Sequence, residues 1–389
     1  MNATGAPRLI SVVIPVHQGA PELRRCLDAI AESDVPREQM EIVVVDDAST
    51  DASAVIAGQY ADTVIRLSGR PRGPAYVRNR GVELARGDVV VTVDADVCVH
   101  RDAIRRMVER LDADPAVGAV VGTYDTMDVG RSIVSDHRNL YQAYRRLRAE
   151  GDVDAYWPAC GAVRREVLTE VGPFDEWHYW RPQAEGAEFG RRIRRAGHRI
   201  VLDPRIQGTH LKSWTLIGTL RTDFANHALP WARLLFHAGD LARVRTPSFG
   251  WREKTNAMLT VLTVFVLALR VRWPSTGMTA FVASCIVAML VGYGSFLRFA
   301  LRHRGVFRAA LFVPLQVARY LVAVMAIIVG WLLHHLVGEP RRDVRDDALA
   351  EVGLQTWPPV PTRLPSDSWH LPPGGRLADS ISHITAARS

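Results

Sequence analysis

The pattern of apolar and polar residues divides the chain near Trp251. Before this residue, short apolar segments alternate with charged segments of helical length, which is typical of an α/β domain. After it, apolar residues continue over much longer stretches. We therefore predict an α/β domain over residues 1–240, a membrane region with two or three transmembrane helices over 241–338, and a flexible, Pro- and Arg-rich tail over 339–389.

Two of the late apolar segments are long enough to cross a bilayer. Residues 278–300 are almost free of charge, and residues 306–337 contain only Arg308 and Arg319 as charged residues. A third segment, 257–269, is short and fits either a marginal span or an interfacial helix. The number of spans, and with it the side of the tail, stays open between two and three.

Composition also bears on the compartment. No cleavable signal sequence opens the chain, so we expect a multi-pass protein of the cell (inner) membrane with its α/β domain in the cytoplasm. The four cysteines lie far apart without metal-ligand spacing, which fits a reducing compartment. The net charge is +7, but basic residues gather beside the apolar segments, as at Arg298, Arg302 and Arg304. This arrangement favours contact with membrane lipids over nucleic acid, for which no reader motif is present.

Carboxylates follow directly after two of the predicted strands. The strand at 41–45 is followed by Asp46 and Asp47, and the strand at 89–93 by Asp94 and Asp96. Open α/β sheets bind ligands outside the carboxyl ends of their strands, so these side chains are predicted to face one crevice. Asp94 and Asp96 point to the same side, since they are two residues apart, and could hold a divalent metal against a diphosphate.

The residues after Asp47 leave two interpretations open. Ser49 and Asp51 fit a ligand crevice, and they fit equally well the capping of a helix predicted at 52–61. Further on, Gly73 opens a turn into a helix that carries Arg78. A helix amino end and a guanidinium both favour a nearby phosphate.

These pieces occur in one order, and in that order the chain resembles the family 2 glycosyltransferases of the GT-A fold over residues 8–240. The resemblance is carried by an ordered set of motifs: Pro15, Asp46-Asp47-x-Ser49-x-Asp51, Gly73-x-Ala75-x-x-Arg78-Asn79-x-Gly81 and Asp94-x-Asp96. It implies that the first aspartates contact the base and ribose of a nucleoside-diphosphate sugar and that Arg78 steadies the base or phosphates. It also implies that Mg²⁺ or Mn²⁺ at Asp96 stabilises the leaving diphosphate.

The acceptor half of the resemblance contains one departure. Residues 183–200 are similar to the acidic helix start of this family, but Gly186 stands where an Asp normally acts as general base. An inverting transfer needs a carboxylate near the attacking oxygen, and Glu185 and Glu188 are the substitutes, with Glu185 favoured. Both could instead only complement the helix dipole, or the departure could mark a weakened enzyme.

Basic residues in this half are the remaining candidates. By resemblance, His210 completes the metal shell, because imidazole can serve as a metal ligand. Lys212 and the arginines of 191–195 could receive a diphosphate, although four arginines on one helix cannot all face the same site.

The resulting hypothesis is a membrane-bound glycosyltransferase that moves a sugar from a nucleoside-diphosphate sugar to a lipid-linked or envelope glycan acceptor. A polyprenyl-phosphate glycosyltransferase is one alternative. A polymerising synthase is less favoured, because a convincing Gln-x-x-Arg-Trp segment is missing. The alternative from another class, raised by Gly186, is a catalytically impaired nucleotide-sugar-binding scaffold protein.

Overall fold

A mixed β-sheet forms the centre of the structure, a computed structural model that describes residues 9–129, 132–178, 184–238, 250–338 and 355–356. The predicted α/β fold is confirmed. The strands are β1 (Ile10–Val16), β2 (Met40–Asp46), β3 (Thr63–Arg66), β4 (Val89–Val93), β5 (Val97–Val99), β6 (Val117–Tyr124), β7 (Gly151–Val153), β8 (Cys160–Arg164), β9 (Arg199–His210) and β10 (Gln355–Thr356).

The sheet order places the polar strand ends next to one another. The order is β10-β3-β2-β1-β4-β8-β6-β9-β5, with β7 beside β9. Strands β3, β2, β1 and β4 are parallel neighbours, and Val16 pairs with Asp46 across β1 and β2. Because parallel strands end at the same edge of a sheet, Pro15, Asp47 and Asp94 meet there.

Helices cover both faces of this sheet. Along β1, Val12 and Ile14 pack into one apolar cluster and Val13 into the other, as the alternation of a strand requires. The helices are α1 (Ala20–Ala31), α2 (Ser53–Ala57), α3 (Pro74–Leu84), α4 (Ala103–Asp112), α5 (Ile133–Leu147), α6 (Arg165–Val171), α7 (Glu185–Arg195), α8 (Leu216–Thr222), α9 (Leu229–Ala238), α10 (Trp251–Arg272) and α11 (Thr276–Leu336), with a 3₁₀ turn at Arg37–Gln39 and a π-helical turn at Asp223–Ala228.

Two local predictions need correction. The helix predicted at 52–61 is shorter in the structure, where α2 ends at Ala57 and Gly58 is its C-cap. The strand predicted at 199–202 does not give way to a loop: β9 continues to His210, because its second half pairs with β5. His210 is therefore held in the sheet.

The two C-terminal helices form three antiparallel segments. Gly305 has a φ of 76°, which breaks α11 between the two spans predicted from the sequence. The segments on either side fold back on each other, with the Tyr293 and Tyr320 rings 5.5 Å apart. Helices α10 and α11 are both long and apolar enough to cross a membrane by length and composition.

Polar contacts attach these helices to α5. Arg304 Nε lies 2.6 Å from Asp136 Oδ1, and His137 Nε2 lies 2.9 Å from Gln316 Oε1. After Tyr320 the apolar residues of α11 include exposed ones: Met325, Ile328, Trp331, Leu332 and Leu336. The boundary predicted at 240/241 and nearly all of the predicted tail lie outside the described residues.

Candidate active site

A single large cavity begins at the carboxyl edge of β1, β2 and β4 and extends to α10 and α11. Its volume is about 1190 Å³, which is enough for a nucleotide sugar together with part of a second substrate. Seven of the nine site residues predicted from the sequence line it: Pro15, Asp47, Arg78, Asp94, Asp96, Glu185 and His210. Asp46 and Glu188 are described residues that do not belong to this lining.

The first carboxylate after β2 holds a loop. Asp46 is fully buried, and its Oδ1 accepts a hydrogen bond from the Ser49 amide at 3.1 Å. Asp51 accepts hydrogen bonds from the backbone amides of Ala20 and Ser53, both at 3.0 Å. Asp51 therefore holds the first residues of α1 and α2, although the N-cap of α2 is Ala52 and has no side-chain cap.

Asp47 reaches the cavity and shapes the turn before α3. Its two oxygens accept hydrogen bonds from the Arg72 amide at 2.7 Å and the Gly73 amide at 2.9 Å. Gly73 adopts a φ of 92°, which favours glycine at this turn. Burial raises the pKa of Asp47, and the two amides offset part of that effect.

Arg78 joins the two halves of the cavity. It is buried, and its guanidinium lies 2.7 Å from Asp94 Oδ1 and 3.1 Å from Glu185 Oε1. Burial opposes its charge, but the two carboxylates outweigh burial and raise the pKa of Arg78. The resemblance implied contact with base or phosphate, whereas in the structure Arg78 fixes the position of two carboxylates 91 residues apart, 94 and 185.

Asp96 and His210 face each other across the cavity, 3.7 Å apart between Oδ2 and Nε2. Lys212 Nζ lies 4.0 Å from the same carboxylate. Burial would raise the pKa of Asp96, but His210 and then Lys212 outweigh it and lower the pKa. A carboxylate oxygen and an imidazole nitrogen at this separation fit a shared Mg²⁺ or Mn²⁺ ion.

The described residues contain no group of three His, Cys, Asp or Glu side chains that could enclose a metal. An ion at Asp96 and His210 would have these two side chains as protein ligands and room in its shell for others. Donor phosphates and water commonly complete the shell of Mg²⁺ in such sites. The donor set therefore fits an ion that binds together with a diphosphate.

The sequence analysis missed two residues that orient His210. Asn139 Oδ1 lies 2.8 Å from His210 Nδ1, and Tyr124 stacks on the imidazole with ring centroids 4.4 Å apart. If Nδ1 donates to Asn139, Nε2 keeps its lone pair toward Asp96. No short motif links Asn139 to His210, because they lie on α5 and β9, 71 residues apart.

The two glutamates of α7 have different surroundings. Glu185 is the first residue of the helix, is buried and faces the cavity beside Arg78. Glu188 forms a two-point ion pair with Arg192, at 2.8 and 2.9 Å. None of the four arginines at 191, 192, 194 and 195 lines the cavity, although all four are described. Only Glu185 is thus placed to act on a substrate.

The departure at Gly186 has a packing reason. A Cβ at this position would lie 2.6 Å from the Tyr156 carbonyl oxygen and 2.7 Å from Pro158 Cδ. The Gly186 carbonyl also accepts a hydrogen bond from the Tyr156 amide at 3.0 Å. The loop before β8 therefore occupies the space that an aspartate side chain would need.

Comparison with known proteins identifies the fold and the family. The sequence profile described as "Glycosyl transferase family 2" matches residues 11–172. Over residues 11–172 the chain therefore has the sequence pattern of glycosyl transferase family 2. The matched range includes Asp47, Arg78, Asp94 and Asp96, so the resemblance found in the sequence is confirmed there.

Curated relatives cover parts of the chain. Glycosyltransferase AglE of Haloferax volcanii is 26% identical over 174 residues, which is 42% of this chain and 55% of that protein. Succinoglycan biosynthesis protein ExoO of Rhizobium meliloti is 37% identical over 131 residues, 32% of this chain and 36% of that protein. The chain spans about half or less of the length of the curated relatives it matches.

Among solved structures, mannosyltransferase PcManGT from Pyrobaculum calidifontis, in complex with GDP-Man and Mn²⁺, is similar with a TM-score of 0.51 and 20% sequence identity. The match covers 86% of this chain and 89% of that chain. This similarity confirms the GT-A fold, here followed by two long apolar helices.

Proposed function

We propose that this protein transfers a sugar from a nucleoside-diphosphate sugar to an acceptor held at the membrane. The observation that carries the proposal is the meeting of Asp47, Asp94 and Asp96 in one cavity, with His210 facing Asp96 at 3.7 Å. The solved complex of PcManGT with GDP-Man and Mn²⁺ supports a nucleotide sugar and a divalent metal as the ligands.

In this proposal each group has a separate task. Asp96 and His210 hold Mg²⁺ or Mn²⁺, which supplies electrophilic stabilisation of the leaving diphosphate. Asp47 and Asp94 lie where a ribose and base would enter, and Arg78 keeps Asp94 in place through the 2.7 Å ion pair. Pro15 forms part of the cavity wall at the end of β1.

Glu185 is the proposed general base when the acceptor nucleophile is a hydroxyl. It lines the cavity, whereas Glu188 is paired with Arg192. A carboxylate near the attacking oxygen suits direct displacement, so the transfer would invert the anomeric carbon. Packing at Gly186 explains why the base cannot occupy its usual position.

The proposed acceptor is lipid-linked or part of an envelope glycan, and the proposed location is the cell (inner) membrane with the α/β domain in the cytoplasm. The support is the pair of long apolar helices and the extension of the cavity to α11. An acceptor anchored in lipid could enter from this side without leaving the bilayer.

Calorimetric titration with UDP, GDP and TDP, with and without Mn²⁺, tests the donor site. We expect Mn²⁺-dependent binding of one nucleotide, and we expect Asp96→Ala to abolish the Mn²⁺ dependence because the ion loses a ligand. Asp112→Ala, at an exposed carboxylate of α4, is the control and should bind like the unchanged protein. Absence of binding to all three nucleotides would contradict the proposal.

Glu185→Gln and Glu188→Gln form a matched pair that separates an enzyme from a scaffold. We expect Glu185→Gln to lower transfer by about 10²–10⁴-fold while nucleotide binding persists, because the base is lost. Glu188→Gln should retain transfer. If both variants support the cellular role unchanged, the nucleotide-sugar-binding scaffold becomes the better explanation.

A further inference from the structure

The proposed function assigns no ligand to most of the part of the cavity that lies beyond Asp96. We call it the inner chamber; it is lined by α5, residues 212–236, α10 and α11. Among the described residues its charged lining has two carboxylates, Asp223 and Glu253. Its cations are more numerous: Arg138, Arg145, Arg146, Lys212, Lys254 and Arg319. The inner chamber is therefore positively charged.

Two of these cations have carboxylate partners. Arg138 forms an ion pair with Asp223, and Arg319 lies 3.0 Å from Glu253 Oε2. Both guanidiniums also lie over aromatic rings, Arg138 over Trp214 at 4.1 Å. Both carboxylates of the inner chamber are thus paired with an arginine.

Arg146 is the cation that stands out. It is half-buried, and the hydrogen bond found for it goes to the neutral Gln142 Oε1 at 2.9 Å. In the part of the chain that the structure describes, no carboxylate lies within ion-pair distance of its guanidinium. Burial, and then the neighbouring Arg145, lower the pKa of Arg146. An anionic ligand would remove this electrostatic penalty.

Arg146 is also close to the proposed metal site. Its guanidinium lies 4.0 Å from the centre of the Trp157 ring, and Trp157 packs edge-on against Tyr124 at 4.7 Å. Tyr124 in turn stacks on His210. Two aromatic rings in contact thus connect Arg146 to His210.

The far end of the inner chamber is apolar. Its wall there comes from α9 and α11 and consists of aliphatic and aromatic residues: Trp231, Leu235, Phe236, Leu315, Val322, Ala323 and Ile327. The same stretch of α11 exposes Met325, Ile328 and Trp331 on its outer side. A ligand that follows this wall passes from a cationic centre to a surface suited to hydrocarbon.

We propose that the inner chamber binds a phosphate-bearing lipid as the acceptor, with the phosphate at Arg146 and the hydrocarbon chain along the wall of α9 and α11. This inference rests on the proposed function, since it names the second substrate of the same cavity. A soluble neutral glycan would leave both the cation and the apolar wall without a partner. Guanidinium is well suited to phosphate because it donates several hydrogen bonds in one plane.

The test uses farnesyl phosphate as the probe, titrated into the detergent-purified full chain. We expect binding of farnesyl phosphate but not of farnesol, and Arg146→Gln should weaken that binding about tenfold or more, because a charge-assisted hydrogen bond is lost. Arg148→Gln is the matched control: it lies on the same helix end but is exposed and outside the cavity. The affinity of Arg148→Gln for farnesyl phosphate should equal that of the unchanged protein.

Two further variants keep the test decisive if Arg146→Gln does not fold. Arg146→Lys retains the charge and should bind farnesyl phosphate more tightly than Arg146→Gln does. If Arg146→Gln does not fold, the affinity of Arg146→Lys should lie near that of the unchanged protein. Ala323→Phe places a larger side chain on the apolar wall and narrows the chamber there. It should weaken the binding of farnesyl phosphate and leave nucleotide binding unchanged. Equal affinity for inorganic phosphate and farnesyl phosphate would overturn the lipid assignment, and equal binding by all variants would overturn the site.

The same preparations are titrated with UDP, GDP and TDP in the presence of Mn²⁺. If a nucleotide binds and farnesyl phosphate does not, the inference fails and the proposed function stands. If no nucleotide binds, the proposed function itself fails. The two failures are therefore distinguishable.

Discussion

The two ends of the cavity are built by different rules. At the donor end, carboxylates follow strands and are held by neighbours at the same sheet edge, as Asp47 is by the turn at Gly73. In the inner chamber, side chains from several helices meet across long stretches of sequence, as Tyr141 meets Glu253 and Arg319. Backbone pairing places the first set, whereas helix packing places the second.

This difference explains why the acidic and basic residues separate. A metal and a ribose need oxygen ligands, and strand ends present them at fixed spacing. The inner chamber instead collects arginines over aromatic rings, such as Arg146 over Trp157 and Arg319 over Tyr141. Arg78 holds carboxylates at the donor end, and Asn139 on α5 connects the two ends through His210, so both are places where the comparison can be tested.

The largest effect is expected at Arg78. In Arg78→Met, Asp94 and Glu185 lose their shared cation, and Glu185 stays buried. We expect the free energy of unfolding to fall by about 3–5 kcal/mol and nucleotide binding to be lost. Chemical denaturation and calorimetry measure both quantities. Arg80→Met, on the same helix, is the control; equal loss in both variants would show that Arg78 has no special role.

The inner chamber should respond to pH through His137. Burial lowers its pKa to about 4, below its usual value, so the folded state prefers the neutral ring. The contribution of the neutral ring to the free energy of unfolding is then fully present above about pH 6.5. It decreases by roughly 2–3 kcal/mol as pH falls toward 4. The free energy of unfolding in detergent, measured against pH, should show this slope, and His137→Gln should make the slope smaller. His303→Gln, at an exposed position of α11, should keep the slope of the unchanged protein.

A smaller effect is expected where α5 reaches the donor end. Asn139→Leu removes the hydrogen bond to His210 Nδ1 and should lower the affinity for Mn²⁺ with nucleotide by about 10–100-fold, because an oriented ligand becomes free to rotate. Mn²⁺ paramagnetic resonance during nucleotide titration measures it. Nucleotide binding without metal should not change. An unchanged Mn²⁺ affinity would show that Tyr124 alone orients the imidazole.

Motif reasoning located the donor end because its residues lie in short segments of fixed order. Asp94 and Asp96 are two positions apart after a buried strand, and α3 begins at the glycine turn before Arg78. The same reasoning could not choose between Glu185 and Glu188. Their difference depends on Arg192, which faces Glu188 one turn along α7, and on the cavity beside Arg78.

By itself the sequence determined the α/β fold, the family and the edge of the sheet where the carboxylates meet, since apolar periodicity and strand ends are local properties of a chain. Only the tertiary structure decided that the loop at Tyr156 fills the space beside Gly186 and that Asn139 orients His210. It also decided that, among the described residues, Arg146 has no carboxylate within ion-pair distance. These are contacts between segments distant in sequence, and packing in three dimensions selects them.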